Sequence, residues 1–123
     1  ASTGRWTEGC AASSGGRGSL GVHKGFITER GTCGGFGSVL TDLPLPPAPR
    51  PYTGRYGHCT HCGACVRRCP VGAISQEAGK DHVACAYFVD WTMALYAPRY
   101  GCGKCQVGVP CQSRNPRKKR PEG

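Results

Sequence analysis

Four cysteines within eleven residues constrain this chain more than anything else in it. They stand as Cys59-Thr-His-Cys62-Gly-Ala-Cys65-Val-Arg-Arg-Cys69-Pro70, a C-x2-C-x2-C-x3-C-P run. That spacing is one that holds [4Fe–4S] clusters. Three thiolates two residues apart on a tight loop can reach three iron corners of one cubane. Gly63 lets the loop curl close to the inorganic sulfides, where a Cβ would clash. Loop N–H groups then point at the sulfurs and stabilise an anionic cluster. Cys69 lies about one helical turn beyond Cys65, so it points elsewhere and serves a second cluster. Pro70 turns the chain away.

One cluster therefore needs a fourth ligand, and Cys69 needs three partners. Downstream lie Cys85, Cys102, Cys105 and Cys111. Cys102-Gly-Lys-Cys105 repeats the two-residue spacing and the glycine. The resulting expectation is Cys59, Cys62, Cys65 and Cys111 on cluster 1, and Cys69, Cys85, Cys102 and Cys105 on cluster 2. The Cys102-x2-Cys105-x5-Cys111 half is longer than the usual one. Cys10 and Cys33 lie in Gly-rich sequence outside this set and are read as incidental to it. Zinc also favours C-x2-C pairs, usually as two pairs across a longer loop, and a zinc-binding interaction module is the weaker alternative. A disulfide scaffold needs an oxidising compartment and ranks below it.

A chain of 123 residues fits one small domain with limited apolar burial, for which bound metal is a common staple. Its 20 glycines and 10 prolines imply much loop. The formal net charge of +9 ordinarily suggests nucleic acid or an acidic membrane surface. Ligation changes that count. Eight thiolates contribute about −8 and two oxidised cluster cores about +4, which leaves the loaded protein near about +5. Mean hydropathy is −0.38, and no apolar run approaches the length of a membrane span. No secretory signal is visible, so a cytoplasmic location is expected. The first residue is Ala, and the opening stretch reads as the middle of a domain, which suggests a fragment of something longer.

The expected fold class is α+β. It is a small ferredoxin-like two-[4Fe–4S] module of short helices and strands, preceded by a hairpin-like arm and a flexible N-terminus. Residues 1–19 are expected to be flexible. Residues 20–57 should hold a short hairpin and a Pro-rich strap, the remnant of a preceding domain. In it Gly25–Glu29 pairs with Phe36–Asp42 across Arg30–Gly35, and residues 43–57 run extended and stiff. Residues 58–112 form the two-cluster domain, with a helical turn at Ala64–Arg68 and a helix at Val83–Ala97 ended by Pro98. Phe88, Trp91 and Leu95 share one face of that helix, with Ala84 a turn earlier. Residues 113–123 should be a basic disordered tail.

His58 and His61 flank the first ligands and read as their surroundings rather than as ligands. His23 and His82 have no partner pattern. Arg67 and Arg68 can offset cluster charge or meet an acidic redox partner. The tail Arg114–Arg120 leaves nucleic acid open, although a solvated terminus is the simpler reading. Tyr87, Phe88, Trp91, Tyr96 and Tyr100 are expected to pack over the clusters and shield them from solvent. No catalytic triad or carboxylate pair stands out, and the glycine-rich stretches lack the strand–glycine–helix setting of nucleotide binding.

Taken together, Gly18 to Pro116 resembles the C-terminal ferredoxin-type part of epoxyqueuosine reductase-like proteins, relatives of the corrinoid-dependent reductive dehalogenases. Leu20-Gly-Val-His-Lys-Gly-Phe-Ile-Thr28 looks like that family's segment near the corrinoid pocket. Phe36-Gly-Ser-Val-Leu-Thr-Asp-Leu-Pro-Leu-Pro46 looks like its strand and proline strap. The four-cysteine run, Cys85 and Tyr100-Gly-Cys-Gly-Lys-Cys-Gln106 follow in order. The family's last motif ends Cys-Pro, whereas this chain reads Val109-Pro110-Cys111. The resemblance implies the same ligand pairing as above. It also implies that a corrinoid-binding domain would precede residue 1. The chain is then an electron-delivery module without a complete catalytic site of its own, whose partner is a redox protein or a preceding reductase domain; the alternative is a corrinoid-dependent reductase fragment whose clusters feed a corrinoid bound near residues 18–42. Corrinoid enters only if the chain is part of a larger protein.

Overall fold

A computed structural model describes residues 8–118. The expected tail positions 119–123 and the first seven residues lie outside the described range. The elements are α1 (Glu8–Ser14), β1 (Gly18–Leu20), β2 (Phe26–Thr28), α2 (Ala64–Arg68), β3 (Ile74–Ser75), β4 (Gly79–Lys80) and α3 (His82–Tyr96). This is a small mixed α+β arrangement. Each strand pair is a two-stranded antiparallel ribbon, too small to be stable alone.

The first ribbon differs from the expected hairpin. β2 pairs with β1, in the register Gly18↔Thr28, Ser19↔Ile27 and Leu20↔Phe26. Phe36–Asp42 forms no strand, and Val39 and Leu40 in it are exposed. The reason lies in what holds β1 from outside. Ser19 Oγ accepts from His58 N–H at 2.7 Å, and Leu20 N–H donates to Arg55 O at 3.1 Å. Tyr52 OH donates to Gly18 O. The strap thus binds β1 and makes it the better partner for β2. The stretch 1–19, expected to be flexible, contains α1 and most of β1 within its described part.

α2 spans the expected residues, and α3 is displaced by one from its expected range. Asp81 caps α3 by accepting from Val83 N–H at 2.8 Å and Ala84 N–H at 3.2 Å. The expected apolar face of α3 does not enter a core. Thr92 is its buried residue, while Val83, Tyr87, Trp91, Leu95 and Tyr96 are exposed. Of the aromatic set only Phe88 lines the cavity with Cys69, Cys85, Cys102 and Cys105; Tyr87, Trp91, Tyr96 and Tyr100 are more than half exposed, and Trp91, Tyr96 and Tyr100 line an open pocket beside Cys102. No helix among the described residues is long and apolar enough to cross a membrane.

The tail, expected to be disordered, is tied down over its described part. Asn115 N–H donates to Glu29 O at 3.0 Å, Lys118 Nζ meets Glu29 at 2.6 Å, and the Arg117 guanidinium forks onto Cys59 O at 2.8 and 3.1 Å.

The interior consists of two small clusters. One gathers Val22, Cys65, Ile74 and Cys105, with Cys59, Val66 and Cys69 against it. The other gathers Ile27, Val109 and Cys111, with Cys59 and Ala64 against it. Cysteines thus make up much of the core.

Candidate metal centre

The loop before α2 is shaped by Gly63, which takes a left-handed φ of 72° at the N-cap. A β-carbon there would be strained and would also crowd Arg67 and Gln76 at about 3 Å. α2 then carries Cys65 near its start and hands Cys69 to its C-cap in extended conformation. A single helical turn therefore separates two directions in space, and the cysteines divide accordingly.

Cys59, Cys62, Cys65 and Cys111 line one cavity, together with Val22, His23 and Ile27 from the β1–β2 hairpin. Cys69, Cys85, Cys102 and Cys105 line a second, with Ile74, Lys80 and Phe88. The eight cysteines singled out in the sequence thus gather four and four around two cavities. Cys10 and Cys33 line neither and are exposed. Both cavities are small, each with about 20 Å³ of free room. Among the described residues, no three His, Cys, Asp or Glu side chains converge tightly enough to hold a single metal ion.

Backbone N–H groups approach the sulfurs. His61 N–H donates to Cys59 Sγ at 3.5 Å, and Ala73 N–H donates to Cys69 Sγ at 3.2 Å. His61 adopts a positive φ of 52°, and its carbonyl accepts from Gln76 at 3.0 Å, which fixes the loop. Burial pushes the thiols up. Cys65, Cys105 and Cys111 all titrate above the ordinary value, Cys111 at about 11, with desolvation as the first cause in each. At Cys105 the Lys80 ammonium works against that rise. These thiols are neutral near pH 7 in the ligand-free chain, so ligation must release their protons.

Three features escaped the sequence reading. His23, without a partner pattern there, is buried and meets Cys111 Sγ at 3.5 Å. His58 packs at 4.7 Å on the Tyr52 ring and meets Glu29 at 3.1 Å, a network that locks the strap to the hairpin beside Cys59. Arg117 holds the Cys59 carbonyl. Partners separated by tens of residues leave no local signal.

Comparison with known proteins bears on the same residues. Residues 55–75 match the family described as 4Fe-4S binding domain. A protein of Vibrio cholerae serotype O1 described as epoxyqueuosine reductase is 30% identical over 106 residues, which covers 77% of this chain and 28% of that relative. No solved structure matches. The chain thus spans 28% of the length of the curated relative it matches. It carries an iron–sulfur domain with an electron-transfer role and is similar to the ferredoxin part of epoxyqueuosine reductase.

Proposed function

We propose that this epoxyqueuosine reductase-like ferredoxin part binds two [4Fe–4S] clusters and serves as the electron-delivery module of a larger reductase. The observation that carries the reading is the division of eight cysteines between two cavities. Cluster 1 is assigned to Cys59, Cys62, Cys65 and Cys111, and cluster 2 to Cys69, Cys85, Cys102 and Cys105. When bound, each cluster takes up and returns one electron, within a range of about −700 to +450 mV.

The chain's own residues supply the setting. Amide donors at His61 and Ala73 favour negative charge on sulfur. Val22, Ile27 and Val109 keep the first site dry, and Ile74 and Phe88 do so for the second. The working unit therefore extends beyond 58–112 to the hairpin at 18–28. Zinc sites usually use two C-x2-C pairs across a longer loop, whereas the C-x2-C-x2-C-x3-C-P run and the 4Fe-4S family match at residues 55–75 favour a cluster.

Two observations support a place within a larger reductase. The relative is more than three times as long as the stretch it shares with this chain. α3 is apolar on nearly all sides yet exposed, a pattern of helices that another surface covers. The substrate chemistry would then reside in the remainder of that protein.

The deciding experiment is anaerobic iron and sulfide quantitation with electron paramagnetic resonance of the reduced chain. About eight irons and eight sulfides per chain are expected. Zinc without sulfide would replace this reading with an interaction module. A corrinoid absorbance band beside the cluster band would favour a reductase fragment that binds the corrinoid itself.

A further inference from the structure

His23 is 1% exposed and lines the first cavity. Its ring is oriented by two independent features. The Gly25 backbone N–H donates to Nδ1 at 2.8 Å. A backbone N–H can only donate, so Nδ1 must present its lone pair, and the neutral ring carries its proton on Nε2. Nε2 in turn lies 3.5 Å from Cys111 Sγ. Two glycines make room for this pose. A β-carbon on Gly21 would stand 2.7 Å from Nε2, and one on Gly25 would stand 2.6 Å from Nδ1.

We propose that His23 is a positioning residue for the first cluster site: its Nε2–H donates to the Cys111 sulfur, fixes that ligand's orientation and raises the reduction potential of the cluster there. The proposal rests on the two-cluster reading above. A donor aimed at a thiolate is worth more when negative charge on the cluster and its sulfurs grows, and it therefore favours the reduced state. The electron comes from the electrode or chemical reductant, and the imidazole proton stays on Nε2 throughout. The second site has no such histidine among its lining residues, so its potential should be independent of His23.

The test uses the full chain, loaded anaerobically and assayed for iron and sulfide before redox titration by electron paramagnetic resonance. His23→Leu should make the first cluster harder to reduce by about tenfold in the reduction equilibrium, which is about 59 mV to the negative for one electron. The second cluster should not move. His23→Asn retains an acceptor for Gly25 N–H but is too short to reach the sulfur. It should show the same shift and keeps the test open if the leucine variant does not fold. His23→Gln, whose amide can donate to sulfur, should recover a large part of the shift. Nitrogen-15 spectra of the oxidised, cluster-loaded wild-type chain supply an independent readout, with the Nε2–H tautomer expected at His23.

Full iron content with an unmoved first potential overturns the inference alone. So does an equal shift of both clusters, or an Nδ1–H tautomer. A wild-type chain that binds no iron and sulfide overturns the two-cluster reading, and this inference with it.

Discussion

Cys69→Ser is the most discriminating perturbation, because Cys69 belongs to the four-cysteine run by sequence but to the second cavity by geometry. The C-cap of α2 turns its side chain toward Cys85, Cys102 and Cys105. Cys62, seven residues earlier, lines the cavity with Cys59, Cys65 and Cys111. On the two-cluster reading each site holds about four irons. Cys69→Ser should therefore lower the iron content from about eight to about four, and Cys62→Ser should do the same by removing the other half. Double variants separate the two losses. Cys69→Ser with Cys85→Ser should still retain about four irons, because both act on one site, whereas Cys62→Ser with Cys69→Ser should retain close to none. Serine is nearly isosteric, and its hydroxyl can keep the bond that Ala73 N–H makes to Cys69 at 3.2 Å, so the backbone at the helix end should persist. Anaerobic iron and sulfide analysis reads the counts, and far-ultraviolet circular dichroism checks the fold. If the Cys62/Cys69 double variant held as much iron as either single one, the division of ligands between the cavities would be wrong.

Three further outcomes follow from the packing. Ile27 is 0% exposed and sits against Val109 and Cys111. Ile27→Ala should cost about 2–5 kcal/mol in chemical denaturation and loosen the first site more than the second. Asp81→Ala removes the cap of α3 and should cost about 1 kcal/mol, read as lost helicity and a lower unfolding midpoint. The Lys118 ammonium, helped by Asn115 and His58, holds the Glu29 carboxyl below its ordinary 4.5 against the opposing effect of burial. Because the folded chain binds that proton less readily than the unfolded one, its contribution is complete above about 4.5 and fades as pH falls through the lowered value. Half-exposed Glu29 contributes under about 1 kcal/mol. In the anaerobically loaded chain Glu29→Gln should flatten this acid limb in urea midpoints measured from about pH 6 to pH 4.

The chemistry of this chain was more legible in the sequence than its fold. The cysteine spacing works through one loop and one helical turn, both local, so α2 and the divergence of Cys65 and Cys69 follow directly from order along the chain. α3 was legible for the same reason, being a long apolar run with an aspartate before it and a proline after it. The hairpin was not. Gly18-Ser-Leu20 has weak strand character, and Phe36–Asp42 has more. The choice was made by His58, Arg55 and Tyr52, which lie more than thirty residues further on and bind β1 from outside. His23 and Arg117 were missed on similar grounds, since their partners lie 88 and 58 residues away.

Ligand shell and core are largely the same residues here, and that has an energetic consequence. Cys65 and Cys105 pack with Val22 and Ile74, and Cys111 packs with Ile27 and Val109. Neither cluster contains enough apolar surface to offset the ordering of a loop-rich chain, for which each fixed residue costs about 1–2 kcal/mol. Burial keeps the same thiols protonated in the ligand-free state, so the chain alone gains neither thiolate–metal bonds nor much hydrophobic burial. Ligation supplies the missing free energy at the positions where the core is thinnest. The hairpin at 18–28, the run at 59–69 and the segment at 102–111 meet chiefly through those cysteines and the residues beside them. Stripping the iron should therefore separate all three together rather than empty a preformed scaffold.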